Sequence, residues 1–181
     1  MSEKPVTVRR LSSKDIDRIG EIDRSEHVTK GYVFRRGVLE AQQVDWQVPR
    51  WSDDASEGFS VHARIEQWKP ILAQGGTLLG ALEGDNLVGF AVLRHELSEG
   101  TAQLAGLYVD RRYRRQGVAS ELTAEVERLA RQAGAERLYV SAIPSGSAVG
   151  FYMRRGFRPT EDVNAELYAL EPNDIHMIKR L

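Results

Sequence analysis

Arg111, Arg112, Arg114 and Arg115 stand with one small residue, Gly117, between two apolar segments. Ahead of them, residues 104–109 read as a strand. Behind them, Val118, Leu122, Val126, Leu129 and Ala133 recur at the spacing of one helix face. A helix N-terminus therefore lies open at the end of a strand. Its first N–H groups have no partner within the helix, and the helix dipole adds partial positive charge there, so phosphate is a natural ligand. Gly117 has no Cβ to hold a pyrophosphate away from its backbone, and the arginines add cationic charge at the same place. The same residues would also make an ordinary strand-to-helix turn with a solvated charge run.

The elements around this junction can be read in order. Residues 6–10 alternate as a first strand, and Ser12-Ser13 followed by Asp15 resembles a helix start before Ile16, Ile19 and Ile22. Tyr32-Val33-Phe34 and residues 38–46 form two strands across a turn at Arg36-Gly37, the least legible part of the chain. Residues 51–58 are polar and acidic and read as a loop. Val61, Ile65, Trp68 and Leu72 then mark a helix that Gly75-Gly76 stops. Residues 77–82 and 87–94 flank the turn-rich Glu83-Gly84-Asp85-Asn86, a hairpin signal, and Glu99-Gly100 turns the chain into the strand before the arginines. The middle of the chain is thus an antiparallel meander. After the long helix, residues 137–143 form a strand that should lie parallel to residues 104–109, joined by a right-handed crossover. Residues 145–155 make a short helix closed by Gly156, and residues 175–181 alternate as a last strand.

Composition narrows the function. A chain of 181 residues with 41% apolar content is one domain by size, spanning residues 1–181. The net charge of −1 lacks the cationic excess of a nucleic-acid-binding protein, so the arginine cluster suits one anionic ligand better. There is no cysteine, which removes disulfides, thiolate metal sites and a cysteine nucleophile. His27, His62, His95 and His176 are scattered without metal-site spacing, and no metal is expected. No apolar run approaches a membrane span and the first ten residues lack a signal-peptide core, so a cytoplasmic protein without membrane partners is expected. A phosphate-binding P-loop is absent. PSGSAVG lacks the spacing of a nucleophile elbow, and Ser147 reads as a helix-start residue.

Arg114, Gly117 and Ala119 form an R-x-x-G-x-A arrangement after a strand ending in LYV. This resembles the acetyl-coenzyme A motif of the GNAT superfamily of N-acetyltransferases. Further on, SAIPSGSAVGFYMRRGF is similar to the superfamily's second signature, with Ala148, Tyr152, Gly156 and Phe157 in place and Ser145 where that signature has Asn. The resemblance implies an α/β fold of the α+β kind: a mixed, mostly antiparallel sheet with one parallel, splayed strand pair, flanked by helices. Ala105-Gly106 is the place for a strand irregularity. It also implies acetyl-coenzyme A as co-substrate, held at Arg114, Arg115, Gln116, Gly117, Val118, Ala119 and Ser120, with backbone groups of Leu107 and Val109 along the pantetheine and thioester. Ser145 is the carried-over pantetheine contact and Tyr152 the proton donor to the leaving thiolate.

Acetyl transfer to an amine also requires the amine to be neutral. For a lysine-like group with a pKa of about 10.4, that costs roughly 4–5 kcal/mol at pH 7. Histone-acetylating members carry a Glu at the position of Gln103, which cannot take a proton. Glu96 and His95 are the nearest remaining bases, with Glu26 and His27 behind them, and each reads equally as an ordinary surface or core-edge group. The aromatic and acidic region 23–57, with Tyr32, Phe34, Trp46 and Trp51, would suit a small cationic amine or simply pack as core. The leading expectation is an enzyme acetylating a primary amine of a small molecule by direct transfer. A peptide or protein lysine is the rival acceptor, and a catalytically silent acyl-coenzyme A sensor the rival class. Dimers are common in the superfamily, so a homodimer is compatible with this reading.

Overall fold

The computed structural model describes residues 5–54 and 60–181. Part of the polar loop expected over residues 51–58 lies outside them. Its frame is a seven-stranded sheet in the order β1-β4-β5-β6-β7-β9-β8, built from β1 (Val6–Arg10), β4 (Thr77–Glu83), β5 (Asn86–Ser98), β6 (Thr101–Val109), β7 (Arg137–Ala142), β8 (Arg158–Pro159) and β9 (Ile175–Arg180). Four α-helices, α1 (Val61–Ala73), α2 (Val118–Gln132), α3 (Gly146–Arg154) and α4 (Ala165–Leu170), accompany it. A separate hairpin pairs β2 (Glu26–Arg35) with β3 (Val38–Val48). The meander β4-β5-β6 is antiparallel, and β6 with β7 is the parallel pair, as the sequence led one to expect.

Residues 77–82, 87–93 and 101–104 of the central strands are buried without a break because both faces of the sheet are covered there. One face packs Leu79, Ala91, Leu93 and Leu104 against Leu122, Val126 and Leu129 of α2 and Val149 and Tyr152 of α3. The other packs Leu82, Phe90 and Val92 against Ile65, Trp68 and Leu72 of α1 and three isoleucines of the N-terminal segment. Each fully buried large side chain contributes about 1.5–3 kcal/mol, so the two layers are the main source of cohesion. Among the described residues no helix is long and apolar enough to cross a membrane.

Some elements differ from their sequence reading. The first helix is a 3-10 helix over Ser13–Glu21, capped by Ser12. Its buried Ile16, Ile19 and Ile22 recur every third residue, the repeat of a 3-10 helix rather than of an α-helix. Ser147 does lie in the first turn of α3, and the cap itself is Ser145, whose hydroxyl accepts the Ala148 N–H at 3.2 Å. Helix α4 and the two-residue β8 carried no readable signal. The β2–β3 hairpin turns through Arg36 and Gly37, with φ of 50° and 75°, the backbone of a tight hairpin turn. It docks on the chain entering α3, where the Tyr32 N–H donates to the Pro144 carbonyl at 2.9 Å.

Candidate active site

Strands β6 and β7 pair only at Thr101, Ala102 and Gln103. Beyond Gln103, β6 runs on to Val109 bonded to β5 alone, while β7 turns its other edge to β9. The cause is local. The register on β5 steps from Val92 opposite Gly106 to Leu93 opposite Leu104, leaving Ala105 as an extra residue, and such a bulge bends its strand away from its neighbour. Gly106 serves the same bend, because a Cβ there would lie 2.8 Å from Cζ2 of Trp68, and only a glycine lets that ring lie against the strand.

Where the strands part there is a cavity of about 80 Å³. It is lined by residues 104–108 of β6, residues 140–143 at the end of β7, Ala148 and Tyr152 of α3, Arg64 and Trp68 of α1, and Glu171 and Asp174. Tyr152 belongs to the core under α2 and Trp68 to the core under α1. The cavity therefore connects the two faces of the sheet.

One end of β6 leads to the arginine turn. Asp110 is buried and organises that turn, accepting from the Asp23 N–H at 3.0 Å, the Arg112 N–H at 3.0 Å and the Arg112 guanidinium at 2.9 Å. Burial alone would raise its pKa; the hydrogen bonds from Arg112 and Asp23 outweigh that and hold it at about 2. Arg115 and Gly117 both have positive φ, 60° and 91°, and curl the backbone into the start of α2. The other α-helices are N-capped by Ser60, Ser145 and Asn164, whereas no side chain caps α2. The N–H groups of Val118, Ala119 and Ser120 thus begin a helix with no side-chain acceptor, beside a glycine whose Cβ position has no atom within 4 Å.

The arginines divide their roles. Arg114 donates to the Val109 carbonyl at 3.3 Å and to the Arg24 carbonyl at 2.8 Å and sits 3.5 Å from Glu26, so its side chain ties the turn to the start of β2. Gln116 donates to the Arg112 carbonyl at 2.7 Å. Arg115 is exposed and has no ion pair among the described residues.

The other sequence candidates scatter. Leu107 lines the cavity, as does Tyr152, whose hydroxyl has no hydrogen bond among the described residues. Burial first, then the charges of Tyr108 and Asp174, push its pKa above the usual phenol value, so it stays protonated. Val109, by contrast, lies past the cavity at the foot of the turn. Ser145 is buried with its hydroxyl committed to the α3 cap and 3.0 Å from that of Ser147, so it does not line the cavity. The bases expected from sequence are elsewhere. Glu96 is exposed beyond the point where β5 loses register with β6, and Glu26 faces Arg114. His95 bonds Thr77 at 2.8 Å and His27 bonds Asp45 at 2.6 Å. Of the four aromatics singled out, Trp51 reaches the cavity's neighbourhood, with its ring 5.1 Å from that of Tyr108. Tyr32 and Phe34 pack on the core.

Sequence reasoning missed the segment before β9. Glu171 pairs with Arg64 at 2.9 Å, and Asp174 lines the cavity with no side-chain hydrogen bond among the described residues. Burial, then the nearby Glu171, raise the Asp174 carboxyl to about 7 against the opposing pull of Arg64. Nothing in PNDIH marks an active carboxylate. Only the antiparallel return of β9 beside β7 brings it to the gap.

The sequence model of the Acetyltransferase (GNAT) family matches residues 39–157, about two thirds of the chain. No curated protein sequence matches it. Among solved structures, nourseothricin acetyltransferase is similar at 19% identity and a TM-score of 0.71, covering 97% of this chain and 98% of that one. A protein of Bacillus anthracis str. Ames, described as a candidate streptothricin acetyltransferase and bound to acetyl coenzyme A, is similar at 20% identity and a TM-score of 0.72, covering 98% and 99%. The PaiA N-acetyltransferase of Thermoplasma acidophilum, in complex with coenzyme A, matches at 18% identity and a TM-score of 0.61, covering 98% and 99%.

Proposed function

The chain belongs to the Acetyltransferase (GNAT) family, and on that premise we propose that it moves an acetyl group from acetyl-coenzyme A to a primary amine of a small molecule. The observation that carries this is the gap between β6 and β7, a cavity with a protonated phenol in its wall along the half of β6 whose C-terminal end feeds an uncapped helix N-terminus. The N–H groups of Gly117, Val118, Ala119 and Ser120 are assigned to the pyrophosphate of the co-substrate, with the exposed Arg115 as its counter-charge. The pantetheine arm then runs along the open edge of β6 past Val109 to Leu107, where backbone groups left without a β7 partner can bond it and the oxyanion. Tyr152, in the cavity wall, is assigned to give a proton to the departing sulfur. Its raised pKa does not forbid this, because the same dry cavity disfavours the thiolate as well. A small-molecule acceptor is also the substrate type named for two of the similar structures, the nourseothricin and streptothricin acetyltransferases.

The test is thiol release from acetyl-coenzyme A across polyamines, aminoglycosides, amino acids and lysine peptides. Saturable release with a small amine and intersecting initial-rate lines are expected, since the chain lacks a cysteine for an acyl-enzyme. Binding of acetyl-coenzyme A with no thiol release from any amine overturns the enzymatic reading in favour of a sensor. Release confined to lysine peptides replaces the acceptor class. Parallel lines or an acetylated chain overturn direct transfer.

A further inference from the structure

We propose that Asp174 is the group that takes the proton from the acceptor's ammonium, and that the acceptor enters on the α1 face of the sheet, opposite Tyr152. The inference rests on the acetyl-transfer reading above and supplies the base which that reading lacks.

Position comes first. The cavity joins the two faces: Tyr152 walls it from the α3 side, Trp68 and Arg64 from the α1 side. The uncapped N-terminus of α2 lies on the same side as Tyr152, so a co-substrate arriving there leaves the α1 side for the amine. Asp174 belongs to that side, because its neighbour Glu171 is bonded to Arg64 of α1. The two carboxylates are not equivalent. Glu171 is neutralised by Arg64 at 2.9 Å, while Asp174 has no side-chain hydrogen bond among the described residues.

The segment is held for the purpose. The Asp174 N–H donates to the Glu171 carbonyl at 3.2 Å, and Nε2 of the buried His176 lies 3.1 Å from the same carbonyl. A carbonyl can only accept, so His176 carries its proton on Nε2, leaving Nδ1 to accept from the Tyr139 hydroxyl at 2.8 Å. The cavity wall around Asp174 also holds Arg64 from α1, Tyr152 from α3, Tyr108 from β6 and Glu171 from its own segment, while His176 of β9 is turned to the Glu171 carbonyl. Burial first, then Glu171, outweigh the pull of Arg64 and leave the carboxyl at about 7, where a general base is most effective at neutral pH.

A second observation points to a ligand on this face. Trp68 is 1% exposed and lines the cavity, yet its indole Nε1 has no hydrogen-bond partner among the described residues. The same edge of the ring carries the Cε2 and Cζ2 atoms that press against Gly106 at the cavity wall.

The protons balance. Asp174 takes one from the ammonium and passes it to solvent. The freed lone pair attacks the thioester carbon, forming the C–N bond. The C–S bond then breaks, Tyr152 gives its proton to the sulfur, and the nitrogen's second proton restores the phenol. The third stays on the amide.

The experiment compares the wild type with Asp174→Asn and Asp174→Glu, using the best small amine from the thiol-release panel. The wild-type kcat/KM should rise with pH through an apparent pKa near 7. In Asp174→Asn it should fall at least 100-fold at pH 7, lose that limb and climb only towards the amine's own pKa, with acetyl-coenzyme A affinity unchanged by calorimetry. Asp174→Glu should restore the limb in part. An active wild type whose Asn variant keeps its pH profile and stays within twofold overturns this proposal alone. A wild type that binds acetyl-coenzyme A and acetylates no amine overturns the transfer reading with it.

Discussion

Gly117→Glu and Gly134→Glu form a matched pair that isolates the anion site. Both glycines border α2, both have positive φ (91° and 88°), and an added Cβ would meet no atom within 4 Å at either place. Neither substitution collides with the core; each forces an L-residue into left-handed backbone at about 1–2 kcal/mol. For a chain of 181 residues that lowers Tm by roughly 2–8 °C, at about 2–4 °C per kcal/mol. At Gly117 the new carboxylate sits on the N–H groups that begin α2 and competes for them as a tethered anion, favoured by the helix dipole. At Gly134 it faces the negative end of the dipole, so the control is the less stable of the two. If the pyrophosphate loses two charge-assisted bonds at about 1.5–3 kcal/mol each, the acetyl-coenzyme A dissociation constant rises roughly 10²–10⁴-fold. Calorimetric titration with circular dichroism and thermal melts on both variants is the assay. Micromolar binding retained by Gly117→Glu, or equal loss in both variants, would refute the placement of the anion at this turn.

Tyr152→Phe keeps the ring against Phe151 and Phe157, each 5.3 Å away between centroids, and removes only a hydroxyl with no hydrogen bond among the described residues. It should lower kcat by about 10-fold or more with Tm and acetyl-coenzyme A affinity unchanged; a change below twofold with chemistry rate-limiting makes Tyr152 a core aromatic only. Asp174 should also show itself in stability. A carboxyl raised from 3.8 to about 7 binds its proton more tightly when folded, so the wild type loses stability as pH rises between those values and is level above them. Asp174→Asn lacks that loss, so its unfolding free energy should match the wild type near pH 4 and exceed it at pH 8, by at most about 4 kcal/mol before solvent screening, with Tm following the same order. A pH-independent difference would mean that the carboxyl is not perturbed.

Periodicity and turn chemistry carried the frame. The α2 face of Val118, Leu122, Val126 and Leu129, the Gly84 and Gly100 turns of the meander and the strand before the arginines are local patterns, set by residues within one or two turns of each other, and the folded chain keeps them; Ala133, read with that face, falls at the exposed C-cap of α2. The bulge at Ala105 was readable for the same reason: small residues in a strand seldom have another use. Even the 3-10 character of the first helix was present in the every-third-residue isoleucines, although it read simply as helix. The base was not legible. A carboxylate becomes one through desolvation and a neighbour's charge, and those come to Asp174 from Arg64, Glu171 and Tyr152, far apart in sequence and joined only when β9 returns beside β7. Sequence alone determined that a helix starts beside Gly117 with no side-chain cap, because that is a local fact of the backbone. Which side chains meet across the split sheet was decided by packing, because burial and proximity are properties of the folded chain.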